Sequence, residues 1–125
     1  MVEARDVYVC EICGNIVEVL TGGGNTLVCC GSEMVLQKEN TVDAAKEKHV
    51  PVVTIDGNKM TVQVGSTLHP MAPEHFIEWI EVFEGDKLQR VVLKPGDEPK
   101  AEFCTKGGNS TVRAYCNLHG LWKAE

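Results

Sequence analysis

Four of the six cysteines of this chain, Cys10, Cys13, Cys29 and Cys30, fall within its first thirty residues, among short apolar runs and turn-forming glycines. No other feature limits the fold so strongly. A unit this small cannot bury enough apolar surface to fold on a core alone, so it needs a staple. Its apolar runs, Val7-Tyr8-Val9, Ile16-Val17-Glu18-Val19-Leu20 and Leu27-Val28, read as short strands. Thr21-Gly22-Gly23-Gly24-Asn25 between them reads as a flexible hairpin tip. It is not a phosphate cradle, because no Lys-Ser/Thr follows and no helix opens there.

The staple is a metal ion or a pair of disulfides. The N-terminal residues Met1-Val2-Glu3-Ala4-Arg5-Asp6 lack an apolar signal region, and no apolar stretch is long enough to span a bilayer. A cytoplasmic protein without a membrane partner is expected. Thiols stay reduced there, which favours a metal. Cys10-x-x-Cys13 lets one turn present two thiolates. Neighbouring side chains of a strand point to opposite faces, so Cys29 and Cys30 share an ion only if the backbone turns there, and Gly31 supplies that freedom. The result is a closed four-thiolate site for iron or zinc, between which spacing does not choose. The adjacent pair should distort the tetrahedron, with its sulfurs held close by covalent geometry.

Beyond this cluster the pattern changes. Glu39-Asn40-Thr41-Val42 reads as a linker, dividing the chain into a metal-stapled domain at 1–38 and a second domain at 39–125. Thr41 or Asp43 is placed to cap one helical turn over 44–47, which Pro51 soon stops. From Val50 onward short strands recur at intervals of about ten residues, as in an antiparallel β-sandwich. Asp56-Gly57-Asn58 and Gly85-Asp86 mark hairpins, and Phe76 to Phe83 is the longest strand candidate. With a hydrophobic fraction of 43% this domain can form a packed core. A net charge of −6 argues against nucleic acid or an anionic membrane as partner.

All four histidines, His49, His69, His75 and His119, lie in the second domain, each beside a strand-like run. A single histidine is ordinarily a surface or satisfied core residue. Four of them, with Cys116 three residues before His119, form a pattern that loops at one end of a sandwich can bring together. If all five converge, zinc fits poorly, because its sites are mostly four-coordinate. Four neutral imidazoles and one thiolate suit a redox metal with one open position. The centre would carry a charge of about +1 for a divalent ion and attract a small anion. A thiolate raises electron density at iron. Cys104, following Phe103 in a strand, reads as a core thiol. Glu47 and Lys48 adjoin His49, and by themselves read as part of a solvated charged run, Lys46-Glu47-Lys48.

These residues resemble those of the desulfoferrodoxin family, the two-iron superoxide reductases of anaerobes. The resemblance runs through Cys10-x-x-Cys13, Cys29-Cys30, Glu47-Lys48-His49-Val50-Pro51, His69-Pro70-Met71, His75, Trp79-Ile80-Glu81, Lys94-Pro95-Gly96 and Cys116-Asn117-Leu118-His119-Gly120. It implies an all-β chain, with a desulforedoxin-like domain followed by an immunoglobulin-like sandwich. It implies two irons, one held by Cys10, Cys13, Cys29 and Cys30. The other is held equatorially by His49, His69, His75 and His119, with Cys116 axial. The implied activity is one-electron reduction of superoxide to hydrogen peroxide, a defence against oxidative stress. Lys48 would attract superoxide and help deliver a proton, and Glu47 would take the open position of the ferric site. A rubredoxin-like electron donor and a homodimer are also implied.

Two other readings use part of the pattern. A β-sandwich with Cys116-x-x-His119 is similar to a blue-copper protein, but Leu121 and Trp122 follow and no Met lies downstream. A zinc-binding interaction module accounts for the cysteines and leaves the histidines unexplained. Metal analysis separates the three.

Overall fold

Short strands joined by tight turns make up the whole of the secondary structure among the described residues, 1–43 and 48–124 of this computed structural model. The helical turn expected over 44–47 lies outside the described residues. The chain divides into two compact units, Met1–Lys38 and Glu39–Glu125.

The first unit pairs β1 (Val7–Val9) with β2 (Ile16–Glu18) on one side and with β5 (Val35–Leu36) on the other. A separate hairpin joins β3 (Val28–Cys29) to β4 (Ser32–Glu33). Little of this unit is buried beyond Val2, Val7, Tyr8 and Cys10. The glycine run is not a hairpin tip. The strands before and after it belong to different sheets, and Val2 donates its N–H to the Gly24 carbonyl at 3.0 Å. It is therefore a crossover laid against the N-terminus.

The second unit is the sandwich. One sheet has the order β10-β7-β6 and the other β12-β11-β8-β9. Their strands are β6 (Pro51–Asp56), β7 (Lys59–Val64), β8 (Ile77–Glu84), β9 (Lys87–Val92), β10 (Lys100–Cys104), β11 (Thr111–Cys116) and β12 (Gly120–Lys123). Every strand ladder is antiparallel, and the seven strands give the immunoglobulin-like architecture. Alternation selects the core: Met60, Val62 and Val64 of β7, Ile80 and Val82 of β8, Ala101 and Phe103 of β10, and Val112 and Ala114 of β11 pack together. Burying each large aliphatic side chain contributes about 1.5–3 kcal/mol. This unit folds on its core.

The same alternation corrects one expectation. Because Ala101 and Phe103 point inward, Cys104 points outward and is exposed. It is not a core thiol.

The opposite face of the larger sheet carries a row of charge. Glu81, which is 0% exposed, accepts from Arg113 at 2.6 Å and from Arg90 at 2.6 Å, and Arg113 reaches Glu39 at 3.0 Å. Arg113, Glu81 and Arg90 stand opposite one another on three adjacent strands. Removing one member of such a buried pair strands the other and costs about 3–5 kcal/mol. The row therefore fixes strand register and ties the start of the unit to its centre.

Candidate metal centres

In the first unit the four cysteine sulfurs lie within 4.8 Å of one another. The β3–β4 hairpin explains how Cys29 and Cys30 both reach the cluster. Its two loop residues, Cys30 and Gly31, have φ of +54° and +72°. Two successive positive φ values define a type I′ turn, the tight connection that matches strand twist. Cys30 tolerates the left-handed region in a position that usually takes Asn or Gly. The turn carries its side chain round to the side of Cys29. The Cys29 and Cys30 sulfurs are 4.0 Å apart, against 3.6 Å for Cys13 and Cys29. The adjacent pair is thus no closer than Cys13 and Cys29.

Four sulfurs about 2.3 Å from a tetrahedral ion lie about 3.8 Å apart, so these separations fit one metal. None of the six cysteines is bonded to another. The backbone N–H groups of Cys13 and Ile12 lower the Cys10 thiol to about 6, and Cys13 N–H lies 3.5 Å from its sulfur. Cys30 is pushed up to about 12, first by sharing a proton with Cys13 and then with Cys29. Four thiols crowded together hold on to protons that a cation displaces.

The second centre follows from strand order. β7 and β11 end, and β6, β8 and β12 begin, at one end of the sandwich. His49 precedes β6, His69 follows β7, His75 precedes β8, Cys116 ends β11 and His119 precedes β12. A bulge sharpens the placement. Tyr115 pairs with Trp79 but Cys116 pairs with Ile77, which leaves Glu78 as an extra residue in β8. Bulges re-aim side chains beside functional sites. Cys116 is 0% exposed and joins the hydrophobic core.

The four imidazoles form a ring. Successive centroids, His49 to His69 to His75 to His119 and back to His49, are 4.5, 4.7, 5.0 and 4.8 Å apart. The His49–His75 diagonal is 6.3 Å, close to that of a square of such sides. Each ring stands 62–85° to the next, edge towards face. His49 Nε2 and His119 Nδ1 are 3.2 Å apart, and Cys116 Sγ is 3.7 Å from that same nitrogen of His119. Two nitrogens at right angles about 2.1 Å from one ion would be about 3.0 Å apart. His75 Nε2 is buried and has no hydrogen-bond partner among the described residues. His69 Nδ1 lies 2.8 Å from the Pro70 carbonyl. That bond places the proton on Nδ1 and leaves the lone pair on Nε2, as metal-bound histidines require. Burial, and then the neighbouring imidazoles, lowers His49 to about 4, so it is neutral and able to ligate at physiological pH. The residues fit a metal.

Residues that the sequence reading did not assign to the site hold this ring in place. The Asp43 carboxylate accepts the backbone N–H groups of His49 and Val50 at 2.6 and 3.0 Å. Asn117 ties two loops together: its Oδ1 accepts from Phe76 N–H at 2.9 Å, and its Nδ2 donates to the Glu74 carbonyl at 3.1 Å. At Gly65, with φ of +84°, a Cβ would collide with the carbonyl oxygens of Lys48 and Thr67. Only glycine lets the loop after β7 run beneath Lys48, which is half-buried beside His49. Asn117 had a sequence signal, lying between two expected ligands. Asp43 was read only as a helix cap and Gly65 not at all, because each acts on backbone brought near by the fold. Glu47 lies outside the described residues.

An all-β protein with a four-thiolate site in one unit and a four-imidazole, one-thiolate site in the other belongs to a narrow class of two-centre metalloproteins. The desulfoferrodoxin domain matches residues 41–125, and the desulfoferrodoxin N-terminal domain matches residues 2–37. The desulfoferrodoxin of Syntrophotalea carbinolica is 57% identical over 125 residues, covering 100% of this chain and 99% of its own. A desulfoferrodoxin homolog of Archaeoglobus fulgidus is 54% identical over 124 residues, covering 99% of each. The crystal structure of the superoxide reductase from Treponema pallidum superposes with a TM-score of 0.79 at 27% identity, covering 96% of this chain and 97% of that one. This chain belongs to the desulfoferrodoxin family. It carries two irons, one in the four-cysteine site and one in a His4Cys-type site, where the ligand atoms of His49, His75, His119 and Cys116 lie within 4.8 Å of one another and His69 stands outside that group.

Proposed function

We propose that the chain is a superoxide reductase, an oxidoreductase that converts superoxide to hydrogen peroxide at the histidine–cysteine centre. The ring of four imidazoles beside a core-buried thiolate carries this reading. The relatives and neighbours that share the domain include proteins named superoxide reductase. We assign the reducing iron to His49, His69, His75, His119 and Cys116, and the second iron to Cys10, Cys13, Cys29 and Cys30. Iron in the first set supplies one electron to superoxide, which takes up two protons to become hydrogen peroxide.

The remaining roles belong to the protein. Cys116 enters the site from the core, so its sulfur is shielded from water and from oxidation on that side. His49 and His69 are 4% and 3% exposed, whereas His119 is exposed to solvent. The chain's net charge of −6 repels an anion, and a cation beside the site offsets this locally. Lys48, next to His49, is assigned that role and the delivery of a proton. Glu47 is assigned to the open position when superoxide is absent. Its support is the family resemblance, and loss of its carboxylate should alter the oxidised spectrum while sparing the encounter rate.

The reading extends to a rubredoxin-like electron donor and a homodimer, both supported by the same resemblance, and to a cytoplasmic location. No helix among the described residues is long and apolar enough to cross a membrane. The deciding experiment is a pulse of superoxide delivered to the reduced protein, with peroxide and oxygen both measured. One peroxide per superoxide and no oxygen is expected. Release of one oxygen for every two superoxides would make the protein a dismutase instead.

A further inference from the structure

Trp122 lies outside the ligand set yet touches two of its members. Its indole is nearly parallel to the His49 ring, with centroids 4.6 Å apart and planes 16° apart. Its Nε1–H donates to the His119 carbonyl oxygen at 3.1 Å. The face of one side chain therefore backs one imidazole, while its edge closes the turn that presents another. Those two imidazoles bring their nitrogens within 3.2 Å of each other.

The indole is itself held firmly. It is 8% exposed, and in register it stands opposite Ala114, whose small side chain leaves room. Its strand, β12, is the edge of its sheet, and Asn40 clamps that edge from outside. Asn40 N–H donates to the Leu121 carbonyl at 3.0 Å, its Nδ2 donates to the same oxygen at 3.1 Å, and Lys123 N–H donates to the Asn40 carbonyl at 2.9 Å. A tryptophan placed only to fill a core needs burial and a partner for its N–H. It does not need a parallel stack on a buried imidazole together with a bond to the next one.

We propose that Trp122 is a positioning residue of the histidine–cysteine centre: it sets the plane of the His49 ring and the turn that carries His119, and so tunes how tightly the centre holds its metal. The proposal rests on the reading of that centre as an iron site. Restricting rotation of a ligating imidazole fixes the direction of its lone pair. Hydrogen-bond partners that orient a ligating histidine typically change metal affinity by about 10–100-fold, and the stack and the turn bond restrict orientation in the same way.

The test compares Trp122→Phe, which keeps an aromatic face and loses the N–H, with Trp122→Leu, which keeps apolar volume and loses both. Each iron-loaded full-length variant is measured for the thiolate-to-iron absorption of the histidine–cysteine centre, the electron paramagnetic resonance of its oxidised form, and its apparent iron affinity against a competing chelator. The expected result is a shifted absorption and altered resonance in both variants. Affinity should fall about tenfold or more in Trp122→Leu and less in Trp122→Phe, with the absorption of the four-cysteine site unmoved. Wild-type spectra and affinity in both variants would overturn the proposal, even if their thermal midpoints dropped, because a core role alone would then suffice. If Trp122→Leu does not fold, Trp122→Phe decides alone. A wild-type protein without thiolate-to-iron absorption from Cys116 would instead refute the iron reading, which keeps the two failures distinct.

Discussion

The two units use sulfur in opposite ways. In Met1–Lys38 the thiols sit on turns or at a strand end, three of the four at least partly exposed, around a minimal core. The metal is what makes such a unit fold. In Glu39–Glu125 the single ligating thiol is 0% exposed, within a core of aliphatic side chains that would pack without it. There the fold makes the metal site. A staple needs only enough ligands of the right type on flexible turns. A reactive centre needs ligands fixed by elements that are stable for other reasons, so that one position can be left open to substrate.

The largest expected effect breaks or confirms that contrast directly. Stripping metal from the whole protein should abolish amide hydrogen-exchange protection throughout 1–38 while most protection in β7, β8 and β11 survives. Structural metal sites of this kind contribute about 10 kcal/mol or more to folding, more than such a small unit holds in reserve. Persistent protection of β1 and β2 in the metal-free protein would show that the first unit folds without its staple.

Next in size is Cys116→Ser. It should remove the thiolate-to-iron absorption of the second centre and most superoxide reduction, with the absorption of the four-cysteine site intact. Retained activity would exclude Cys116 as a ligand. Lys48→Ile should then slow the bimolecular reaction with superoxide by about tenfold and flatten its dependence on ionic strength. Stopped-flow or pulse measurements at several salt concentrations check this, and an unchanged rate and slope would return Lys48 to an ordinary surface charge.

The smallest effect lies at the far end of the sandwich. Glu84 accepts Thr105 Oγ1 at 2.5 Å and Lys106 N–H at 3.0 Å, and these bonds, in that order of importance, hold its carboxyl below the usual range. A lowered carboxyl stabilises the fold above its unfolded value, and that contribution is lost as pH falls through the folded one. Glu84→Gln should therefore lower the thermal midpoint of the second unit slightly at neutral pH. The gap should close under acid, and neither metal centre should change colour. A midpoint difference that persists unchanged at low pH would assign the effect to packing.

Much of the scaffold was legible in the chain itself. The hairpins at Gly57-Asn58 and Gly85-Asp86 and the strands around Met60, Ile80 and Val112 follow from turn chemistry and period-two burial, both of which are local. The strands β4, β5 and β12 escaped notice because two to four residues carry too little periodicity to register. Cys104 was misplaced because it follows Phe103 in a strand, although the inward neighbours Ala101 and Phe103 already decided its side by alternation. Cys30 was legible as a ligand type, and its left-handed backbone was not, because that conformation is imposed by the hairpin pairing of β3 with β4.

The sequence by itself determined the donor chemistry: four thiolates in a segment too small for a core, and four imidazoles and one thiolate in a segment large enough to have one. Residue type limits which metal can bind and what electrons it can exchange, and no fold alters that. Only the tertiary structure decided the geometry. The square of imidazoles, the bulge at Glu78, the nitrogen of His69 left for ligation by the Pro70 carbonyl and the stack of Trp122 on His49 all join residues far apart in the chain or fix a rotamer. Such contacts depend on where antiparallel strands begin and end in space, and local pattern carries no record of that.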